Sequence, residues 1–256
     1  MNLKKMAIAA LVGSLSLSTV YATAGDALRL GVEGAYPPFS FKQADGTLSG
    51  FDIEVALAIC EKLQRECKLV EQEWDGMIPA LNAQKYDAIV ASMSITADRM
   101  KRVSFTEKYY ANLVRMIAQK GSDLDATAKG LAGKKVGVVR GTTHQCYAEK
   151  HLVDSDIRLY NTHEDVYSDL LVGRIDARIS DVTDAIGFLK SEEGGRFEFI
   201  GDNLEDASCF GEGIGIAVRK GDSLAAEINQ AIKAMRADGS YQKISDKYFS
   251  VDIYGD

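Results

Sequence analysis

The chain has 256 residues, with 37 Asp or Glu against 30 Lys or Arg and a formal net charge of -7. That balance excludes a basic surface for nucleic acid or anionic lipid. Only three prolines and no low-complexity tract speak against a disordered linker or tail.

Lys4 and Lys5 precede an apolar run from Met6 to about Val20, which closes in Ala22-Thr23-Ala24. Charge, length and small-residue ending describe a secretory signal peptide over residues 1–24, cleaved after Ala24 or, alternatively, after Ala22. A retained anchor is the competing reading, for which the run is too short and too rich in Ser and Gly. Cleavage removes two lysines and no acid, so the mature chain is more acidic still. No later segment approaches about 18 uninterrupted apolar residues. The mature chain is therefore expected to be soluble and periplasmic.

Strand and helix signals then alternate. LRLGV from Leu28 reads as a strand, and EGAYPPFSF as a Pro-rich turn at its end. GFDIEVALAICEKL places Ile53, Val55, Ala56, Ile59, Cys60 and Leu63 near one helical stripe, and CKLVEQEW returns as a strand. The amphipathic WDGMIPALNAQ leads into an apolar strand that ends at Ser92 to Ser94. Gly121 to Lys135 reads as a surface connection, after which KKVGVV opens a second series. That series runs through a helix near Cys146 to Leu152, the strand DIRLYN, the helix EDVYSDLLVG and the strand RIDARIS. The remainder reads as one strand and two helices, with Leu224, Ile228, Ile232 and Met235 sharing a face. Such alternation predicts an α/β fold with mainly parallel sheet.

An internal repeat divides the chain. Aligning Asp87 with Asp176 pairs Leu81 with Leu170, Lys85 with Arg174, Ala88 with Ala177 and Ser92 with Asp181. Two related lobes follow, each ending a strand in small polar residues where α/β sheets present groups to ligands.

Four cysteines in an exported chain invite a disulfide reading. A straight helix would hold Cys60 and Cys67 roughly 10 Å apart, beyond the reach of a bridge. A bridge therefore requires the helix to end between them, with Cys67 opening the next strand. Cys146 and Cys209 either pair or remain as two buried thiols.

Several features carry candidate chemistry. Thr96 is a helix N-cap candidate, and Arg99 on the following turn offers a two-pronged donor to a carboxylate; a solvated surface arginine is the plain alternative. In KVGVVRGTTHQ, Gly141 allows close approach, and Thr142 and Thr143 supply hydroxyl and N-H donors at a helix start. No lysine follows at the spacing of a phosphate loop. Asp181 suits a ligand ammonium or, equally plainly, an N-cap. Glu33, Tyr36 and Phe39 put a carboxylate beside aromatic faces, with core packing the default for Phe39. Trp74, the sole tryptophan, is either a cleft residue or an ordinary core residue. His144, His151 and His163 lack metal-binding companions and read as ordinary polar residues. Gly211, Gly213 and Gly215 precede a strand, which fits a crossing between lobes better than a dinucleotide site. No GxSxG motif or Cys/His pair suggests a nucleophile.

EGAYPPFSF, DGTLSGFDIEVALAIC, WDGMIPALNAQKYDAI, SMSITADR, VGVVRGTTHQ, DGSYQKISDKYF and the YGD ending, with the Cys60/Cys67 spacing, together resemble the periplasmic lysine/arginine/ornithine- and histidine-binding proteins of bacterial ABC importers. The resemblance covers essentially the whole mature chain. It implies a two-lobed α/β periplasmic-binding-protein fold of type II with two strand crossings. Lobe 1 would be 25–111 and 213–256, lobe 2 would be 115–206, and the hinge 112–114 and 207–212. It further implies capture of a cationic L-amino acid, arginine favoured, with ornithine, lysine and histidine as alternatives. The ligand would pass to an inner-membrane ABC permease complex from a monomer without cofactor, metal or catalytic residues.

The resemblance also implies roles. Arg99 clamps the α-carboxylate with Ser94 and backbone donors near Thr143, and Asp181 accepts the α-ammonium with Ser92 and Thr142. Tyr36 and Trp74 sandwich the side chain, whose distal cation faces Glu33. Ala91, Met93, Val139 and His144 complete the implied ligand-binding set. Relatives often carry phenylalanine at the place of Trp74, aspartate at that of Glu33 and serine at that of Ala91. Three other readings compete. A dehydratase on the same fold needs an acid or base beyond the clamp, and a neutral-amino-acid binder would not use Glu33's charge. A sensor domain needs a span or signalling module, which the chain does not show before its YGD ending.

Overall fold

The computed structural model describes residues 27–255; the expected signal peptide and its cleavage site lie outside the described residues. In chain order the first part comprises β1 (Leu28–Val32), β2 (Ala35–Tyr36), β3 (Ser40–Lys42), β4 (Leu48–Ser49), α1 (Phe51–Lys62), β5 (Cys67–Glu71), α2 (Met77–Asn82), β6 (Ala88–Ile89), α3 (Ala97–Met100) and β7 (Val103–Tyr110). The second comprises β8 (Val114–Gln119), β9 (Lys135–Val139), α4 (Thr143–His151), β10 (Asp156–Tyr160), α5 (His163–Leu171), β11 (Ala177–Asp181), α6 (Val182–Lys190), β12 (Phe197–Ile200) and α7 (Ala207–Phe210). The chain then returns to the first sheet with β13 (Ile214–Arg219), α8 (Leu224–Ala237) and α9 (Ser240–Tyr248).

Two five-stranded sheets result, ordered β5-β1-β6-β13-β7 and β10-β9-β11-β8-β12. In each, the first three strands are parallel and the last two join antiparallel. The sheets are thus mixed, where the alternation of elements predicted mainly parallel ones. The reason is the crossing. Strands β6 and β11 end at the space between the lobes, whereas β8 and β13 arrive from the opposite lobe and begin there. Val114 pairs with Asp181 at one such junction, and Ser94 bridges Ile214 at the other. The EGAYPPFSF segment, expected as a turn, forms β2 and β3 of a separate three-stranded sheet.

The sequence repeat has a structural cause. Asp87 accepts the backbone N-H of Arg29 at 3.1 Å, and Asp176 that of Lys135 at 2.7 Å. In both lobes the repeated aspartate therefore anchors the first residues of the neighbouring parallel strand. The residue before it also recurs in function. A Cβ added to Gly31 would overlap the Tyr86 ring, and one added to Gly137 would overlap Ile175. Each glycine lets a large repeat side chain lie flat on the sheet.

Helices cover both faces of both sheets. Leu30, Phe51, Ile59, Ile228 and Met235 fill one face of the first sheet, and Met77, Leu81, Tyr86 and Val103 the other. Met116, Val136, Ala148 and Ile179 fill one face of the second, and Val139, Val166, Leu170 and Ile175 the other. Of the predicted α1 stripe, Ile53, Val55, Ala56, Ile59 and Cys60 are buried, and Asp52 is buried among them.

The helix α1 ends before Cys67 opens β5, and the two cysteines are bonded with Cα atoms 5.6 Å apart. Cys146 and Cys209, left open between pairing and free thiols, are also bonded and tie α7 to α4. Their sequence separations are 7 and 63, so chain entropy assigns them about 2.5 and about 4 kcal/mol respectively. Replacing each pair by serine and measuring urea unfolding is expected to show the larger loss for Cys146/Cys209. A greater loss from the short-loop pair would contradict that ordering.

Candidate functional site

Four strand ends converge between the lobes. Glu33 follows β1, Ser92 and Ser94 follow β6, Thr142 follows β9, and Asp181 ends β11. With Tyr36, Trp74, Ala91 and Arg99 on one side and Thr143, His144 and His163 on the other, they line one cavity. The cavity measures about 30 Å³, room for one or two waters. Met93 and Val139 of the implied set turn instead into the two hydrophobic cores. Thr142 is committed to capping α4, accepting the N-H of Gln145 and donating to the Val139 carbonyl at 2.6 Å. Thr143 and His144, in the first turn of α4 where N-H groups have no helical partner, line the same cavity, a favourable place for an anion.

Arg99 is held by its own helix start. Thr96 caps α3 by accepting the Arg99 N-H at 3.3 Å, as the ITADR spacing predicts. The residue is 7% exposed, and its guanidinium donates to the Ser94 carbonyl at 3.1 Å and to the Gly141 carbonyl of the opposite lobe at 3.2 Å. It lies over the Trp74 ring, 5.1 Å from its centroid. Among the described residues it has no salt-bridge partner. Burial, and then Arg102, push its pKa down to about 10.

Asp181 occupies the N-cap position of α6 but makes no capping hydrogen bond. Its carboxylate instead meets His144 Nε2 at 3.2 Å and accepts the Tyr36 hydroxyl across the cleft. Burial alone would raise its pKa; His144, the Tyr36 hydroxyl and Arg178 outweigh burial and hold it below the usual carboxylate range. The group is therefore an anion in the cavity wall.

Glu33 is 7% exposed and makes no hydrogen bond or salt bridge among the described residues. Burial, followed by the negative neighbours Asp52 and Asp184, pushes its pKa up to about 7. The cleft thus contains a cation and a carboxylate, each buried without an opposite charge of its own. Such groups are costly to bury. A molecule carrying both an anionic and a cationic group would relieve both.

His163 belongs to the site although sequence reading gave it an ordinary polar role. Its ring stacks on Tyr36 with centroids 4.0 Å apart, and Arg178 Nη2 lies 2.7 Å from its Nδ1. Arginine only donates, so Nδ1 accepts and the imidazole is neutral. Burial first, then Arg178, holds its pKa well below the ordinary histidine value. Arg178 also pairs with Asp184 at 2.7 Å, and Ser180 and Tyr167 donate to the same carboxylate. The signal for this network was a charged residue inside the buried strand ARISD. The start of α5 after β10 also matches the start of α4 after β9.

The chain matches the family model described as "Bacterial extracellular solute-binding proteins, family 3" over residues 28–251. It is 47% identical over 253 residues to the L-arginine-binding protein of Pseudomonas aeruginosa, covering 96% of this chain and 98% of that protein. It is 40% identical over 255 residues to the lysine/arginine/ornithine-binding periplasmic protein of Escherichia coli, covering 98% of each. Among solved structures it resembles a Salmonella typhimurium periplasmic binding protein described for high arginine specificity. That match has a TM-score of 0.82 at 34% identity and covers 88% of this chain and 100% of that one.

Trp74 provides an intrinsic probe, because it is the sole tryptophan and lines the cavity against Arg99. Ligand binding is expected to shift its fluorescence, and W74F to remove that signal. Unchanged emission during a titration that calorimetry shows to be saturating would remove Trp74 from the ligand site.

Proposed function

The chain belongs to the bacterial extracellular solute-binding proteins, family 3, and from that premise we propose that it captures a cationic L-amino acid, arginine favoured over ornithine, lysine and histidine. Capture occurs in the periplasm, after removal of the signal peptide. Two lobes, 25–111 with 213–256 and 115–206, close on the ligand about a hinge at 112–114 and 207–212. A monomer then delivers it to an inner-membrane ABC permease.

The observation that carries this reading is the pair of unpaired buried charges, Arg99 and Glu33, on one cavity. Arg99 binds the α-carboxylate, assisted by Ser94 and the Thr143 N-H. Asp181 accepts the α-ammonium, with Ser92 beside it. The side chain lies between Tyr36 and Trp74 against Ala91 and reaches Glu33, whose two oxygens match the planar fork of a guanidinium. Charge-assisted hydrogen bonds of about 1.5 to 3 kcal/mol each and aromatic contacts of about 0.5 to 2 suffice for micromolar to nanomolar binding, about -8 to -12 kcal/mol. Because both lobes contribute contacts, the ligand binds the closed arrangement better and shifts the population towards it.

Titration calorimetry of ligand-stripped protein with arginine, ornithine, lysine, histidine and glutamine tests the assignment. E33Q is expected to weaken arginine and ornithine by about 10- to 100-fold while sparing glutamine. Equal losses for cationic and neutral ligands would defeat the cationic assignment.

Acidity provides a second test. A cationic side chain binds the ionised form of Glu33, whose pKa in the free protein is about 7. Binding lowers that pKa, so a proton must leave wherever Glu33 is still protonated. Arginine affinity is therefore expected to hold above pH 7 and to fall by up to about tenfold per unit below it. E33Q should flatten the profile; an identical decline in E33Q would assign the titration to another group.

A further inference from the structure

Asp52 sits in the first turn of α1 and is fully buried within an otherwise apolar face. One carboxylate oxygen accepts the Ser92 hydroxyl at 2.8 Å, and the other accepts the Tyr109 hydroxyl at 2.7 Å. Both oxygens are thus engaged by donors from outside its own helix. Ser92 follows the short strand β6 with φ 51, a left-handed conformation that a non-glycine residue seldom adopts. The bond to Asp52 therefore lies where the backbone has been turned to aim a side chain.

We propose that Asp52 is a positioning residue that makes Ser92 an obligate acceptor towards the cleft and thereby fixes which end of a zwitterion enters there. The inference deepens the amino-acid reading of the same cleft and rests on it. A serine hydroxyl has one proton and two lone pairs. With the proton committed to Asp52, only lone pairs face the cavity. An ammonium finds an acceptor, backed by the charge of Asp52 and by Asp181 nearby in the wall; a carboxylate finds lone pairs and negative charge. The opposite end of the site offers the donors Arg99 and the N-H groups at the start of α4. The ligand's orientation is then set by hydrogen-bond direction as well as by net charge. Burial pushes the Asp52 carboxyl up to about 6 against the opposing bonds from Tyr109 and Ser92, so it is largely ionised at neutral pH.

The test compares L-arginine with its des-amino analogue 5-guanidinopentanoate, which lacks only the α-ammonium. The readout is the ratio of the two affinities. S92A is expected to lower that ratio about 10- to 100-fold while changing the analogue's affinity less than about threefold. D52N should lower the ratio in the same way, and S92A/D52N should lower it no further than S92A alone, because Asp52 acts through Ser92. D52S supplies the same comparison if D52N does not fold. Equal losses for both ligands in the Asp52 variants, an unchanged ratio, or a double-variant ratio equal to the product of the two single effects would overturn the inference. Wild-type protein that binds the analogue as tightly as L-arginine would overturn the amino-acid reading itself.

Discussion

The cost of holding charge away from water governs this structure. An ion in a protein interior costs several kcal/mol unless partners replace its hydration. Most buried charges here have such partners within their own lobe. Arg178 has Asp184, and Asp52 has Ser92 and Tyr109. Arg99 and Glu33 are the contrast, since Arg99 has only carbonyls and an aromatic face, and Glu33 has negative neighbours. Both line the cavity, Glu33 just after β1 and Arg99 in the first turn of α3, where a ligand can do what the lobes do not. The scaffold tolerates these two exposures to electrostatic cost because two cores on each sheet hold the strand ends in place.

The two lobes reach that arrangement by the same construction. Asp87 and Asp176 pin a parallel neighbour, and Gly31 and Gly137 make room for Tyr86 and Ile175. These contacts lie away from the cleft and are retained as a repeat. At the cleft the copies diverge, with Ser92 where the second copy has Asp181. Symmetric packing and asymmetric chemistry are therefore separate layers of one sequence pattern. Packing requires the same volumes twice, whereas the cleft takes a neutral hydroxyl from one copy and a carboxylate from the other.

How much the sequence revealed follows from the range over which each signal acts. The α1 stripe, the Thr96 cap and the strand ends were legible because periodicity and capping are local. The separate sheet β2-β3-β4 was hidden by the two prolines that suggested a turn. Mixed strand direction was invisible because it depends on chain crossings, not on any strand's composition. Most of the expected cleft residues do line the cavity, but Met93, between the lining residues Ser92 and Ser94, and Val139, at the end of β9, are buried in the cores. His163 and Asp52 escaped because each looked ordinary in its own segment; their significance comes from Arg178 and Ser92, distant in sequence.

The closed cleft also indicates how a ligand changes the balance between states. Tyr36 donates to Asp181 and stacks on His163, and Arg99 donates to the Gly141 carbonyl. Each is a contact between lobes, and the two hydrogen bonds occupy atoms that the proposed zwitterion would use. Binding is therefore an exchange of partners. In the proposed reading, a phenol hydroxyl on Asp181 gives way to an ammonium, and a carbonyl on Arg99 gives way to a carboxylate. Charge-assisted bonds are about twice as strong as neutral ones, so the exchange favours the liganded closed form even though the number of bonds between lobes need not increase. A cavity of about 30 Å³ requires Tyr36 and the lobes to yield before a side chain can pass. The same contacts that hold the cleft shut without ligand thus set the threshold that a ligand must exceed, and in the proposed reading a molecule lacking either charge gains less from the exchange than a zwitterion does.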